Sequence, residues 1–348
     1  MPRTTPPRPV DIAAVFPDLA PLARPAVRLH PRPGHPTVHD SSVGGPLLWP
    51  SDEPWPHCTK ECAPTQDPIT LEGERRARAV RDVAWARPRQ PTGNILTVQE
   101  QTELEEAERR HPMHETSNAL PPVAQIYVRD MPGMAGPAGK DLLQVLWCPL
   151  NHDDDEDCLP ATHLVWRSYD DVEELLTEPP VPADVEWHGY YVPEVCVVHP
   201  EVVTEYPSPF ALPEELCERL WAWSGQQKAD VKHGDPYHQA EHAYYQYELS
   251  TAPGWKLGGW GSWSFCDPYP VTCATCSTAM EPLLTISSRE WDAAGLSWIP
   301  TEDLPHAKTS RGPYSPSDFA RITIGRGYDL QIYTCPESFE HPHQQVMQ

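Results

Sequence analysis

The chain has 348 residues, 44 of them proline, with 50 acidic side chains against 26 Lys and Arg and a formal net charge of −24. Proline ends helices and cannot donate to a sheet ladder, so a helical bundle, a coiled coil and a long parallel sheet are excluded. So few phosphate-neutralising side chains disfavour a non-specific nucleic-acid binder, and no run of about 20 apolar residues offers a membrane helix.

Residues 1–10 are Pro/Arg-rich and lack the apolar core of a signal peptide, so they are expected to be a disordered tail. The default location is then cytoplasmic, where ten cysteines read as thiols or metal ligands before disulfides. Residues 11–150 are expected to form a first β-rich unit, dense in Gly44, Gly45, Trp49, Pro50, Trp55 and Pro56. A charged insertion at about 64–118 interrupts it. The insertion carries Arg75, Arg76, Arg78, Arg81, Arg87 and Arg89, then a polar run from Gln99 to Arg110 that predicts an exposed helix. Strand-like runs follow at 123–128, 142–147 and 163–167. Residues 170–177 suggest a short helix, and 187–199 a strand.

Residues 151–250 read as an acidic connection with helices. Between residues 150 and 300 there are 6 basic and 26 acidic side chains, a surface that repels phosphate and favours a basic partner. Pro213 with Glu214 and Glu215 opens a helix whose Leu216, Leu220 and Trp223 share a face, with Gly225 as its expected stop. A second helix is expected from Asp235 to about Leu249. Residues 251–348 return to glycine, tryptophan, cysteine and short strands as a second unit.

That return is an internal repeat. The first unit has Gly44-Gly45, Trp49, Cys58 and Cys62, then Leu143-Gln144-Val145-Leu146-Trp147-Cys148-Pro149 and His152. The second has Gly258-Gly259, Trp263, Cys273 and Cys276, then Leu330-Gln331-Ile332-Tyr333-Thr334-Cys335-Pro336 and His341. The expected fold is α+β and β-rich, with internally duplicated β units joined by a helical connection.

Gly-Gly-x-x-x-Trp-Pro at 44–50, Asp-Glu-Pro-Trp-Pro at 52–56 and Lys256-Leu257-Gly258-Gly259-Trp260 ahead of a Cys-x-x-Cys resemble the bacterial YwqG-like domain family. The Cys-x-x-Cys, Leu-Leu-x-Ile and Cys-Pro order of the second unit is distantly similar to the programmed cell death protein 2 family. The resemblance spans most of the chain outside the tail and insertion. It implies a duplicated α+β domain with no established enzyme activity. Its eukaryotic side implies a dedicated chaperone, and its bacterial side a toxin-neutralising protein. This chain lacks the separate cysteine-rich finger of the eukaryotic relatives.

The cysteines carry the clearest chemistry. Two thiols on one turn, a third from a distant strand and an imidazole make a closed tetrahedral site for structural Zn²⁺. Each unit offers such a set: Cys58, Cys62, Cys148 and His152, then Cys273, Cys276, Cys335 and His341. Cys158, Cys266 and His343 are possible substitutes for the fourth ligands, and buried reduced thiols are the plain alternative. Cys196 and Cys217 have no repeat partner.

His238, Glu241 and His242 match the His-x-x-Glu-His pattern of inverted zinc peptidases. Glu302 and Asp318 are candidate third acids, and a polar surface helix is the plain alternative. His152 to Asp157 reads as an acidic loop without calcium-loop spacing. No phosphate-loop motif and no Gly-x-Ser-x-Gly elbow is present. The leading expectation is a non-enzymatic protein-binding module, chaperone-like or toxin-neutralising, that uses Trp49, Trp55, Trp260 and Trp263 on an aromatic surface between its halves. The alternatives are a zinc-dependent hydrolase centred on His238, Glu241 and His242, and an RNA-associated factor using the arginine stretch.

Overall fold

Short strands separated by prolines and glycines need many partners before they bury anything, and here they assemble into two sheets. The computed structural model describes residues 2–87, 94–114, 117–152, 159–227, 243–263, 266–292, 294–307 and 317–348. Its strands are β1 (Arg24–Arg28), β2 (Arg32–Pro33), β3 (Ser42–Val43), β4 (Pro122–Tyr127), β5 (Leu142–Asn151), β6 (Pro160–Arg167), β7 (Cys196–Val197), β8 (Glu201–Glu205), β9 (Lys256–Gly258), β10 (Glu281–Ser287), β11 (Asp329–Thr334) and β12 (Gln344–Met347). They form two six-stranded sheets, ordered β6-β5-β4-β3-β7-β2 and β12-β11-β10-β9-β1-β8. Every pairing is antiparallel.

The two orders are one pattern. Each strand of the first sheet corresponds to the strand six places along the chain in the second, with β7 matched to β1. The duplication therefore runs through β1–β6 and again through β7–β12. The first strand of each set is exchanged, so β1 sits beside β9 and β7 beside β3. Side-chain contacts repeat as well. Buried Gln144 of β5 donates to the Leu48 carbonyl at 2.9 Å, and its counterpart Gln331 of β11 donates to the Ser262 carbonyl at 2.9 Å. Each carbonyl precedes a tryptophan of the repeat, Trp49 or Trp263.

Residues from both sheets, including Val123, Leu143 and Val145 and also Leu257, Leu284 and Ile332, form one buried cluster. Strand β5 is buried at all ten positions, which is why it reads as a nearly continuous apolar run rather than an alternation. The bend after β3 needs Gly44: its φ is +75°, and a Cβ there would lie 2.8 Å from the Glu194 carbonyl oxygen.

The helices are α1 (Ile12–Val15), α2 (Leu71–Ala86), α3 (Val98–Ala107) and α4 (Glu214–Gln227), with shorter turns elsewhere. Thr70 caps α2, and Thr97 with Glu100 forms a capping box on α3. Helix α2 of the insertion is anchored: Arg78 is buried and donates to the carbonyls of Gly189, Val192 and Arg321 at 3.0, 2.8 and 3.2 Å. Helix α4 runs past the expected stop at Gly225, and its Leu216 and Leu220 pack on Ile12, Leu19, Tyr245 and Leu249.

Three expectations are corrected. Residues 170–177 make no α-helix, only a 3₁₀ turn at Tyr169–Asp171. Of 187–199, only Cys196–Val197 is strand, because Trp187–Gly189 coils into a 3₁₀ turn with His188 at φ 65°. The expected tail is tied down over its described part. The Thr4 and Thr5 amides donate to Glu302 and Glu201 at 2.9 Å, and the Arg8 guanidinium lies 3.6 Å above the Trp298 ring centre. His238, Glu241 and His242 lie outside the described residues. Among the described residues no helix is long and apolar enough to cross a membrane.

Candidate metal centres

In the first repeat, backbone pairing presses the loop carrying Cys58 and Cys62 against the end of β5. Cys58 donates its amide to the Asn118 carbonyl at 2.8 Å, Ala63 donates to the Asn151 carbonyl at 2.8 Å, and Cys62 bridges His152. This converges four side chains. The Cys62 sulfur lies 3.8 Å from that of Cys58 and 3.7 Å from that of Cys148. The His152 Nε2 lies 3.1 Å from Cys58 Sγ and 3.6 Å from Cys62 Sγ.

In the second repeat, Cys273 and Cys276 lie on a tight turn. The Ser277 amide donates to the Cys273 carbonyl at 2.8 Å, with Ser277 itself at φ 60°. Cys335 directly follows β11 and brings its sulfur to 3.5 Å from Cys276 Sγ. His341 Nδ1 lies 3.4 Å from Cys273 Sγ and 3.3 Å from Cys335 Sγ. Cys148 and Cys335 thus occupy matching places on matching strands, five residues after Leu143 and Leu330.

Metal bonds of ~2.3 Å to sulfur and ~2.0 Å to nitrogen give tetrahedral edges of about 3.8 Å for S···S and about 3.5 Å for S···N. The tetrads' S···S distances of 3.5–3.8 Å and S···N distances of 3.1–3.6 Å lie near these edges, whereas a disulfide needs about 2.05 Å. Every cysteine among the described residues is a free thiol. With three thiols and one imidazole each, the tetrads fit a tetrahedral Zn²⁺ and leave no position for a reacting water. Within the first, hydrogen bonds from Cys148 and Cys62 hold the Cys58 thiol far below its ordinary range. Burial alone would lower the His152 imidazole, but its bonds to the Cys58 and Cys62 sulfurs raise it to about 9. The His152 Nδ1 is buried without a hydrogen-bond partner.

The substitute ligands lie apart from the tetrads. The Cys266 sulfur accepts from Gln348 at 3.0 Å, and His343 Nε2 pairs with Thr162 at 2.8 Å. Cys158 lies outside the described residues. Cys196 is buried in the main core and Cys217 in α4.

The four tryptophans do not line one surface between the halves. Trp49 and Trp55 are buried against each other, ring centres 5.0 Å apart, in the cluster that packs Cys58 and Cys148. Trp260 is half-buried under Arg24 and donates to the Leu22 carbonyl at 2.9 Å. Trp263 packs on the cluster holding Cys273 and Cys335. Only Trp55 reaches a large cavity, of about 660 Å³, whose wall includes Leu71, Pro122, Pro180 and Val192.

Two groupings had weak sequence signals. His114 Nδ1 lies 2.7 Å from buried Asp184, with His111 Nδ1 3.7 Å from the same carboxylate. Only the His-x-x-His spacing at 111–114 hints at it. Arg28, His30 and Glu290 form a buried ion network that draws in Glu201, and its members are scattered too widely for any motif. Three arginines of the stretch are engaged internally, Arg78 on Glu74, Arg81 on Glu108 and Arg87 on Glu100, while Arg75 and Arg76 are exposed.

No family model matches the chain, and no curated protein matches it.

Proposed function

We propose that the chain is a non-enzymatic protein-binding module whose two repeats are each stapled by a structural zinc ion. Cys58, Cys62, Cys148 and His152 would hold one ion, and Cys273, Cys276, Cys335 and His341 the other. Closed tetrads favour a structural role over chemistry, because they offer no exchangeable position. Persistent thiols suit a reducing compartment, which supports a cytoplasmic location. The observation that carries the binding reading is the cavity beside Trp55, lined mostly by rigid prolines and aliphatic side chains, with Arg75, Arg78, Asp82, Glu194 and Arg321 as its charged groups. The acidic excess of residues 150–300 would favour a partner with a basic surface. A chaperone-like or toxin-neutralising hold on that partner is the corresponding action.

The test is crosslinked capture from the source cell by wild type and by Ala79→Trp, which fills the cavity from exposed Ala79. One partner captured by wild type and lost by Ala79→Trp, with the melting temperature kept, supports the reading. Identical capture profiles, or a hydrolase activity abolished by Glu241→Gln, would refute it.

A further inference from the structure

A second cavity, of about 340 Å³, is walled by Arg81, Arg289, Arg321 and Arg326. In a chain with 26 Lys and Arg against 50 acids, such a convergence needs an explanation. It draws on three distant segments: α2 gives Arg81, the turn after Val185 gives His188 and Tyr190, and the segments around β10 and β11 give the other arginines.

Two of the four are already paired. Arg321 forks onto Asp82 at 2.8 and 2.9 Å, and Arg81 pairs with Glu108, which also faces His188 at 3.3 Å. Arg289 and Arg326 are exposed and make no ion pair with any described residue. The lining carboxyl is Asp318. Its Oδ1 is buried without a hydrogen-bond partner, and burial pushes its pKa up to about 6.

Backbone strain points to the same place. Among the described residues, four other than glycine have positive φ: His30, His188, Ser277 and Arg321. Ser277 belongs to the Cys273–Cys276 turn and His30 to the buried ion network. The other two, His188 at 65° and Arg321 at 52°, both line this cavity. Such conformations are unfavourable for residues with a Cβ and gather where a site needs them.

We propose that this cavity binds a small phosphorylated ligand, whose phosphate is held by Arg289 and Arg326 against a wall of His188 and Tyr190. Two unpaired guanidinium forks match one doubly charged group with several acceptor oxygens. A long polyanion is disfavoured, because the chain's net charge of −24 repels it. The site is independent of both tetrads.

Titration calorimetry of the full chain with pyrophosphate tests this, with inorganic phosphate and ADP as further arms. Saturable binding at one site per chain is expected, weakened about tenfold or more by Arg289→Gln and by Arg326→Gln. Arg76→Gln, an exposed change outside the cavity, should leave it unchanged. ADP tighter than pyrophosphate would assign a nucleotide, and equal affinity a bare phosphate group; both support the site. Thermal melts check that the variants fold, and pyrophosphate should raise the wild-type melting temperature but not theirs. No saturable binding up to millimolar pyrophosphate would overturn the proposal. So would equal weakening by Arg76→Gln, or tighter binding of a single-stranded oligonucleotide of the same charge.

Discussion

Cys217 and Cys276 are both free thiols, yet they stand in different chemistry. Cys217 packs in α4 with no ligand partner, whereas Cys276 faces Cys335 at 3.5 Å inside a tetrad. Zinc held by thiolates contributes on the order of 10 kcal/mol to folding. Cys276→Ser should therefore lower the melting temperature steeply and expose Trp263, which packs on this cluster. Cys217→Ser should cost roughly 1–3 kcal/mol, a packing defect. Melts followed by tryptophan fluorescence check this, and equal losses for both variants would show that Cys276 is an ordinary core thiol.

His199 gives a second prediction at this scale. Burial, reinforced by the charges of Arg3 and Arg32, holds its imidazole down at about 4. The unfolded chain binds a proton near pH 6.5 that the folded chain refuses until about pH 4, so stability should fall as pH drops through that window. Denaturant melts of His199→Gln should show a shallower acid limb between pH 6.5 and 4; a limb identical to wild type would remove His199 as its cause.

Among the elements, α2 and α3 cross where Gly73 meets Ala107. A Cβ on Gly73 would lie 2.2 Å from the Ala107 carbonyl oxygen, so the helices can approach this closely only at glycine. Gly73→Ala gains helix propensity, but it should cost about 1–3 kcal/mol net through the lost approach. Chemical denaturation measures it, and a stabilised variant would refute the packing argument. Longer elements were legible because they carry their own pattern: β4, β5, β6, β11 and α4 all overlap runs read from the sequence, though β5, β6 and α4 extend beyond them. Strands β2, β3 and β7 have two residues each and carry no periodicity, so only their partners define them. The Asp170–Thr177 run shows the converse. Its polar pattern suits a helix, but Leu176 instead donates its amide to the Trp49 carbonyl at 2.8 Å and docks onto the first repeat.

For the whole molecule, the repeat was readable because it preserves chemistry: glycine pairs, tryptophans, cysteines and Leu-Gln-x-x-x-Cys-Pro recur in order. The exchange of β1 and β7 between sheets was not, since nothing in a five-residue or two-residue strand says which sheet receives it. Both Cys3His tetrads were legible through the repeated order of their cysteines and histidines, although the spacings differ. The arginine cavity was not, because Arg81, His188, Arg289 and Arg326 share no local motif. The matched positions of the tetrads make the central claim a stoichiometric one. Elemental metal analysis of protein purified without a metal-affinity tag should find two zinc ions per chain, falling to one in Cys148→Ser and to one in Cys335→Ser. Wild-type protein without zinc, or a content unchanged by either substitution, would contradict the account.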